Sequence, residues 1–233
     1  MSIPPKVSQV SAMFTRIAAR YDLMNTLMTG GRHHAWRRIA AAEAARAREG
    51  PVLDLATGTC DLALAVRAAD ARRLVVGADF SLGMLGEGRR KLAARGETRV
   101  PLLAGDALAL PFRDGTFACV TSAFLLRNLA DLPAGLAEMR RVTRPGGRVI
   151  ALEIVRPGVR GWDALFGVYF GRVVPLVGAL VAGDRTAYTY LPQSVERFVT
   201  PRELADLMRT VRLGDVRVRR LGLGTIALHV GTA

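Results

Sequence analysis

Cysteine and aromatic residues are scarce in this chain of 233 residues. The two cysteines, Cys60 and Cys119, form no Cys-x-x-Cys pair, which argues against a disulfide scaffold and a zinc site and fits a reducing compartment. Aromatic residues make up only 6% and do not alternate with arginine, so no surface that stacks single-stranded nucleic acid is expected. We therefore predict no nucleic-acid partner.

Long apolar runs are missing too. The longest uninterrupted run near the C-terminal third, residues 173–182, has ten residues, whereas a helix that crosses a bilayer needs about 20. The first ten residues lack the apolar core of a secretory signal. These absences predict a cytoplasmic location.

Positive charge, in contrast, is abundant. The formal net charge is +13, and nearly all of the basic residues are arginine, since Lys6 and Lys91 are the only lysines. No run of five or more basic residues marks a nucleic-acid-binding tail. Biased coding explains much of the arginine excess, and attraction to anionic lipid or acidic substrates is the other explanation.

Apolar strands alternate with helices through the middle of the chain. The hydrophobic pattern predicts helices at 61–69, 81–95 and 133–142 between strands at 52–56, 74–78, 100–103, 117–123 and 148–154. This alternation predicts an α/β fold with a doubly wound, mostly parallel sheet of the Rossmann-like kind.

The two ends of the chain add helices to that sheet. Residues 7–48 are predicted to be helical, long helices are expected from residue 160 to about 190, and a helix at 201–212 precedes two strands at 215–220 and 224–230. We expect a single domain over 1–233, with an N-terminal helical lid at 1–48 and a helical insertion at 160–200.

Acidic residues and a glycine turn follow the predicted strands, at the edge where open parallel sheets bind ligands. Asp54 lies in the first strand, and Gly58 in the following turn lets the backbone approach a ligand closely. Asp79 ends the second strand and can accept hydrogen bonds from two ribose hydroxyls. Asp106 follows the third strand, where the edge of an adenine is expected.

A nicotinamide dehydrogenase would use the same architecture, but the turn does not suit it. Its fingerprint needs three glycines beneath a pyrophosphate, and here Cys60 and Ala63 take the second and third positions. Asp54 and Asp61 flank the turn and would repel a pyrophosphate. S-adenosyl-L-methionine carries a cationic amino group and a sulfonium, so we predict it as the cofactor.

Several motifs are more specific than this turn. They include Arg20-Tyr21-Asp22-Leu23-Met24-Asn25, Gly105-Asp106-Ala107, Leu126-Arg127-Asn128 and Ala227-Leu228-His229. With these motifs the chain resembles the ubiquinone/menaquinone biosynthesis C-methyltransferase family over nearly its whole length. The resemblance implies cofactor contacts at Thr59, Asp79, Asp106 and Ala107.

The reaction that the resemblance implies is carbon methylation of a prenylated hydroquinone, with demethylmenaquinol preferred over the ubiquinone precursor. Loss of a phenolic proton puts negative charge on the ortho ring carbon, which attacks the methyl group, so no metal is expected. Arg127 and Asn128 follow the fourth strand beside the expected methyl position. Arg127, Asn128 and Tyr21 are the expected catalytic residues, with Arg127 stabilising the phenolate or holding the water that takes its proton. Tyr21 and Asp22 are also expected to form part of the lid.

Other residues near the expected site have less certain roles. Histidines titrate near neutrality, yet His33, His34 and His229 are expected to be structural. Residues that depart from the family's pattern surround the site and leave its fine geometry open: Cys60, Ala123 and Leu125. The apolar segment 166–180 is expected to line a tunnel for a prenyl tail, to contact a membrane surface, or simply to cover the sheet.

Two other functions stay open. One is methylation of a soluble small molecule, which a comparison of short-tail demethylmenaquinone analogues with soluble phenols would distinguish. The other is a non-catalytic partner in a quinone-synthesis complex, which calorimetry would favour if no cofactor bound. A homodimer and peripheral contact with the membrane are both left open.

Overall fold

A seven-stranded sheet forms the centre of the computed structural model, which describes residues 5–159, 161–178 and 185–233. The strand order is β3-β2-β1-β4-β5-β7-β6. The strands are β1 Val52–Leu55, β2 Val75–Asp79, β3 Leu102–Ala104, β4 Phe117–Ala123, β5 Thr143–Ile154, β6 Gly214–Leu221 and β7 Ile226–Thr232. β1 to β5 are parallel, and β7 is antiparallel to both β5 and β6. The predicted doubly wound, mostly parallel α/β fold is confirmed.

Helices cover both faces of this sheet. They are α1 Pro5–Thr29, α2 Arg32–Ala45, α3 Asp61–Ala69, α4 Leu82–Ala94, α5 Leu132–Val142, α6 Trp162–Val168, α7 Val174–Val177, α8 Arg185–Glu196 and α9 Pro201–Thr210. On one face α5 and α9 bury residues such as Leu136 and Leu204, and on the other α2 and α3 bury Ala44 and Val66. Such burial on both faces is why β1 is a continuous apolar run interrupted only by Asp54.

The predicted helical segment 7–48 consists of two helices, α1 and α2. Gly30 and Gly31 both adopt positive φ, 56° and 74°, which ends α1 and starts α2 in a new direction. The pattern of apolar residues continues across this pair, so periodicity alone did not reveal the break. α2 packs against the sheet, whereas α1 contacts the start of α4, where Thr15 and Ser81 share a hydrogen bond of 2.9 Å.

The predicted insertion also begins as helix. α6 continues through a π-helical turn, Tyr169–Val173, into α7. The end of the apolar segment 166–180, and of the run 173–182, lies outside the described residues. Over the ranges given above, no helix is both long and apolar enough to cross a bilayer. The division into a lid at 1–48 and an insertion at 160–200 stays a prediction.

The two edge strands differ in character. β3 has only three residues, whereas β6 has eight and exposes Arg217, Arg219 and Arg220.

Arg73 connects the end of α2 to the start of β2. Its side chain is 6% exposed, and its guanidinium donates to the carbonyl oxygens of Ala45, Ala47, Arg48 and Gly50 at 2.6–3.3 Å. The last carbonyl groups of a helix have no partners within it. Arg73, which lies outside the helix, supplies hydrogen-bond donors to carbonyl groups at the end of α2 and in the segment after it.

We expect Arg73→Met to lower the free energy of unfolding by about 2–4 kcal/mol, because each buried acceptor left unpaired costs about 1–3 kcal/mol and water satisfies some of them. Arg72→Met is the matched control, since that side chain is 87% exposed, and its effect should stay within about 0.5 kcal/mol. Denaturant unfolding measures both. Equal effects of the two substitutions would show that the contacts of Arg73 are not stabilising.

Candidate active site

The loop after β1 has an unusual backbone. Ala56, Gly58 and Cys60 all have positive φ, at 53°, 56° and 70°. Glycine adopts this conformation most readily, so Ala56 and Cys60 hold a backbone conformation that side chains disfavour. The Cys60 thiol packs against Gly88 of α4, where a methyl group would lie 2.6 Å from Sγ. Burial raises the pKa of this thiol to about 12, so it stays protonated and unreactive near neutrality.

Asp79 joins the end of β2 to this loop. Its Oδ2 accepts a hydrogen bond from the Gly58 N–H and its Oδ1 from the Ser81 N–H, both at 2.8 Å. Burial raises the pKa of the carboxyl to about 6, against the opposing effect of these donors. Each oxygen retains a lone pair, so the carboxylate can still accept from ribose hydroxyls, as the sequence predicted.

Asp54 links β1 to β4 in a similar way, through hydrogen bonds to its buried carboxylate. Its carboxylate accepts hydrogen bonds from the hydroxyls of Thr57, at 2.7 Å, and Thr121, at 3.0 Å. Burial raises the pKa of Asp54 to about 6, although these hydroxyls oppose the shift. A cleft at the carboxyl ends of the strands is lined by Asp54, Gly58, Thr59 and Asp79. The buried acid Asp54 gives this cleft a negative character above pH 6.

Helix α1 contacts the loop after β1, in which the predicted cofactor residues Gly58 and Thr59 lie, through Asp22. The Thr59 hydroxyl donates to Asp22 Oδ1 at 2.6 Å, and Lys91 Nζ lies 2.5 Å from Asp22 Oδ2 and 2.7 Å from Asp61 Oδ1. Burial would raise the pKa of Asp61, but Arg37 and Lys91 outweigh it and hold that pKa below its usual range. The predicted lid residue Asp22 therefore contacts the predicted cofactor residue Thr59 directly.

Tyr21 lies where three cavities meet. A small one beneath α1 is lined by Asp54, Gly58 and Thr59, and a second by Gly58, Asp79 and Asn128; Tyr21 lines both. Ala123, one of the departures from the family's pattern, also lines both, and Leu125 lines the second. The structure thus brings together six of the predicted site residues: Tyr21, Asp54, Gly58, Thr59, Asp79 and Asn128.

Asp106 and Ala107 are placed differently. They follow β3, Ala107 is buried, and the exposed Asp106 accepts a hydrogen bond from the Leu108 N–H at 2.9 Å. Neither residue lines the two small cavities. Their contact with the adenine stays a prediction.

The third cavity is larger and mostly apolar. Its volume is about 450 Å³, within the range of small-molecule sites. It is enclosed by α1, the start of α2, the segment from α6 to the π-helical turn, and the middle of α8. Tyr21 and Phe124 lie at the side of the small cavities. Polar groups are few in its wall, and Arg127 and Tyr190 are among them.

Arg127 has a buried partner rather than a surface acid. Its Nη1 donates to the Phe124 carbonyl oxygen at 2.7 Å and to Glu153 Oε2 at 3.1 Å. Its Nε is buried and has no hydrogen-bond partner among the described residues. Asn128 donates from Nδ2 to the same Phe124 oxygen at 3.1 Å and accepts from the Tyr190 hydroxyl at 3.1 Å.

The histidines are held in structural contacts. Arg37 donates to His33 Nδ1 at 2.7 Å, which leaves the proton on Nε2, 3.2 Å from the Thr26 hydroxyl. Burial lowers the pKa of His33 to about 4, with Arg37 adding to the effect, so the ring is neutral near pH 7. His229 is buried and donates from Nε2 to the Pro201 carbonyl oxygen at 2.9 Å.

One group of potential metal ligands was not expected. His33, His34 and Asp61 place ligand atoms within 4.8 Å of one another, a proximity that the 26 residues between His34 and Asp61 concealed. Arg37 already contacts His33, and Lys91 contacts Asp61, so two cations adjoin the position that a metal ion would take. Two cations beside the ligand atoms disfavour a metal ion there, and the absence of a metal requirement stays a prediction.

Sequence reasoning missed Glu153, Lys91, Arg37 and Tyr190. Glu153 carried a signal, since a lone acid in an apolar strand buried on both faces must have a partner. Lys91 is exceptional as one of two lysines, but its three contacts lie on distant segments.

We expect Asp79→Asn to weaken S-adenosylmethionine binding by about 1–3 kcal/mol, through loss of a charged acceptor. Because the carboxyl pKa is raised to about 6, the parent's affinity for the cofactor should fall as the pH drops through 6, by up to about tenfold at pH 5. In Asp79→Asn, the part of this pH dependence that comes from Asp79 should be absent. Titration calorimetry at pH 7.5 and 5 measures both effects.

The control is Asp114→Asn, because the Asp114 side chain is 81% exposed, pairs with Arg141 and lines neither of the two small cavities. It should bind the cofactor as the parent does. An Asp79→Asn variant with parental affinity at both pH values would remove Asp79 from the binding site.

Comparisons with known proteins identify the family of this chain, whereas the roles of the individual site residues stay predictions. The model of the ubiE/COQ5 methyltransferase family matches residues 4–233. A demethylmenaquinone methyltransferase from Thermus thermophilus is 46% identical over 219 residues, which are 94% of this chain and 99% of the relative. A ubiquinone/menaquinone biosynthesis C-methyltransferase UbiE from Desulfotalea psychrophila is 42% identical over 95% of this chain and 89% of its own length.

Solved structures share the fold. A SAM-dependent methyltransferase from Thermotoga maritima, described as a possible histamine N-methyltransferase, superposes with a TM-score of 0.64 over 95% of this chain and 98% of its own, at 20% identity. Identity this low speaks for the architecture alone. The family model and the relatives carry the assignment: the chain belongs to the ubiE/COQ5 methyltransferase family and is an S-adenosylmethionine-dependent methyltransferase.

Proposed function

We propose that this enzyme methylates a ring carbon of a prenylated hydroquinone, with demethylmenaquinol as substrate and menaquinol as product. The observation that carries the proposal is the meeting of two unlike spaces, an acid-lined cleft at the strand ends and an apolar cavity of about 450 Å³, at Tyr21 and Phe124. A charged cofactor suits the first and an aromatic ring with an apolar tail suits the second. The name of the Thermus relative supports the choice of demethylmenaquinol.

The cleft fits the cofactor chemically. Asp79 offers acceptors to ribose hydroxyls, and Asp54 gives the loop of Gly58 and Thr59 a negative charge that favours a cationic ligand. The bound cofactor supplies an electrophilic methyl group. The chain's own task is to hold the ring carbon in line with that group, and orientation of this kind can lower a barrier by about 7–11 kcal/mol.

Arg127 is the group best placed to stabilise the phenolate. A guanidinium does not act as a base in proteins, so Arg127 works as a fixed cation and donor. A buried N–H without a partner is costly, and Arg127 Nε is such a group within the described structure. Nε itself has no accessible surface, so a phenolate oxygen in the large cavity would meet the guanidinium at the part of the side chain that lines this cavity.

Tyr190 and Asn128 support the same end of the cavity. Burial raises the pKa of Tyr190, so its hydroxyl keeps its proton and acts as a donor, here to Asn128 Oδ1. Asn128 in turn donates to the Phe124 carbonyl oxygen. This chain of contacts orients Asn128 between the cleft, which it lines, and the large cavity, which Tyr190 lines.

We expect Arg127→Ala to lower kcat by on the order of 100-fold or more, by analogy with a lost oxyanion donor, while cofactor affinity stays within a few-fold. Arg127→Lys should restore turnover only in part, because it keeps the charge without the forked geometry. The control is Arg72→Ala, because the Arg72 side chain is 87% exposed and lines none of the three cavities, and it should turn over normally. Turnover of a short-tail demethylmenaquinol analogue, measured by mass spectrometry of the product, tests these values.

The same assay separates the alternative substrates. If soluble phenols are methylated faster than the demethylmenaquinol analogue, the enzyme acts on a soluble small molecule and the quinol proposal is wrong. Normal turnover by Arg127→Ala would instead remove the phenolate role and leave the choice of substrate unaffected.

The rim of the large cavity supports contact with an anionic membrane surface, in which a prenylated substrate dissolves. Leu165 and Leu223 line the cavity and are nonetheless 58% and 73% exposed, and Trp162 Nε1 donates to the Leu223 carbonyl oxygen at 3.0 Å. The same helical segment exposes Leu176 and Arg172. Apolar side chains beside arginine fit the acyl boundary and the anionic headgroups.

Leu176→Asp should weaken binding to phosphatidylglycerol-containing vesicles by about tenfold, because a buried leucine contributes about 1.5–3 kcal/mol. Leu82→Asp is the matched control, since Leu82 is 71% exposed on α4, and it should bind as the parent does. Vesicle flotation measures both. Equal binding by the two variants, or no preference for anionic over phosphatidylcholine vesicles, would contradict membrane contact at this rim.

A further inference from the structure

Glu153 is a buried acid that the proposed chemistry has not yet used. It lies in β5 opposite Ala227 of β7, and its side chain is fully buried. Glu153 does not line the large cavity, so it has no contact with the space assigned to the ring. Glu153 contacts Arg127, and Arg127 in turn lines the large cavity.

Its two carboxylate oxygens hold two parts of the turn after β4. Oε1 accepts a hydrogen bond from the Leu126 N–H at 2.6 Å, and Oε2 accepts from Arg127 Nη1 at 3.1 Å. One side chain therefore fixes both the backbone at the start of the turn Leu126–Asn128 and the guanidinium that extends from it.

The Phe124 carbonyl oxygen completes the arrangement. It accepts from Arg127 Nη1 at 2.7 Å, and the residue itself has a positive φ of 65°, which turns the chain sharply at the end of β4. With two acceptors, Glu153 and Phe124, engaging one nitrogen, the guanidinium has a single orientation. Its Nε is left without a partner within the described residues.

Stability alone does not explain this pair. Desolvation of two charges offsets much of their attraction, and apolar residues of similar size often replace a buried ion pair without loss of stability. Burial also raises the pKa of Glu153, against the opposing charge of Arg127, which reflects the same desolvation cost. A pair that brings little stability and leaves a donor unpaired is expected where a site needs a fixed geometry.

We propose that Glu153 is a positioning residue, which orients Arg127 through Nη1 so that the remaining N–H donors of the guanidinium meet the phenolate oxygen in the large cavity. This inference rests on the role proposed above for Arg127. Glu153 itself neither touches the substrate nor exchanges a proton with it.

Glu153→Gln tests the proposal most directly. Glutamine keeps the length of the side chain and an acceptor for the Leu126 N–H, but it removes the charge that holds Arg127. We expect kcat to fall by about 10- to 100-fold, with KM and the cofactor dissociation constant within about threefold of the parent, because an interaction made only in the transition state lowers kcat alone.

A double-mutant cycle distinguishes positioning from a general structural effect. If Glu153 acts through Arg127, adding Glu153→Gln to Arg127→Ala should change kcat by less than about twofold. A general structural defect would instead multiply the two losses. The control is Thr143→Val, a buried position at the other end of β5, which should leave kcat unchanged in both backgrounds.

Glu153→Asp provides a second variant that keeps the buried charge pair and so protects folding. Its carboxylate is one methylene shorter and cannot reach both donors, so we expect about a tenfold loss in kcat. Parental kcat in Glu153→Gln or Glu153→Asp, with Arg127→Ala inactive, would overturn the positioning role and leave Arg127 in place. Parental kcat in Arg127→Ala would overturn the proposed role of Arg127 first.

Discussion

A carboxylate removed from water must receive hydrogen bonds, and three such carboxylates organise the functional edge of this sheet. Asp79 connects the end of β2 to the loop after β1, Asp54 connects β1 to β4, and Glu153 connects β5 to the turn after β4. These links follow the order of the strands across the sheet, β2-β1-β4-β5. Each acid is costly to bury without its partners, so the loops that supply the donors are held in place. The positions of the other site residues depend on this row of contacts.

Helix α1 lines both the small cavities at the strand ends and the large apolar cavity. Asp22 contacts Thr59 and Lys91 beside the cofactor loop, while Tyr21 lines the small cavities and the apolar one. If the cleft holds the methyl donor and the apolar cavity its acceptor, as proposed above, the same helix contributes to the environment of both. A sulfonium needs nearby negative charge, whereas a neutral aromatic ring needs apolar contact, and one amphipathic helix provides both.

The sequence predicted the fold well because its strands are buried on both faces and its turns carry strong signals. The prediction for 117–123 coincides with β4, and that for 61–69 with α3. The break at Gly30 and Gly31 was missed because the apolar periodicity continues across it. Acids at strand ends were visible as site candidates, but periodicity assigns a residue to a face and says nothing about its partner. For that reason Glu153, whose partners lie 26 and 27 residues away along the chain, and Lys91, whose partners lie 30 residues away or more, emerged only from the structure.

The edges of the sheet bear on how copies of this protein can associate. An exposed edge strand is a template for pairing with another chain, and natural proteins block such edges with short strands or charge. β3 is too short to recruit a partner strand, and two β6 strands placed side by side would bring Arg217, Arg219 and Arg220 against the same guanidinium groups of the other copy. A continuous intermolecular sheet is therefore disfavoured at both ends. Any homodimer must use helices or loops, and concentrated solutions should resist fibrillar aggregation through this sheet.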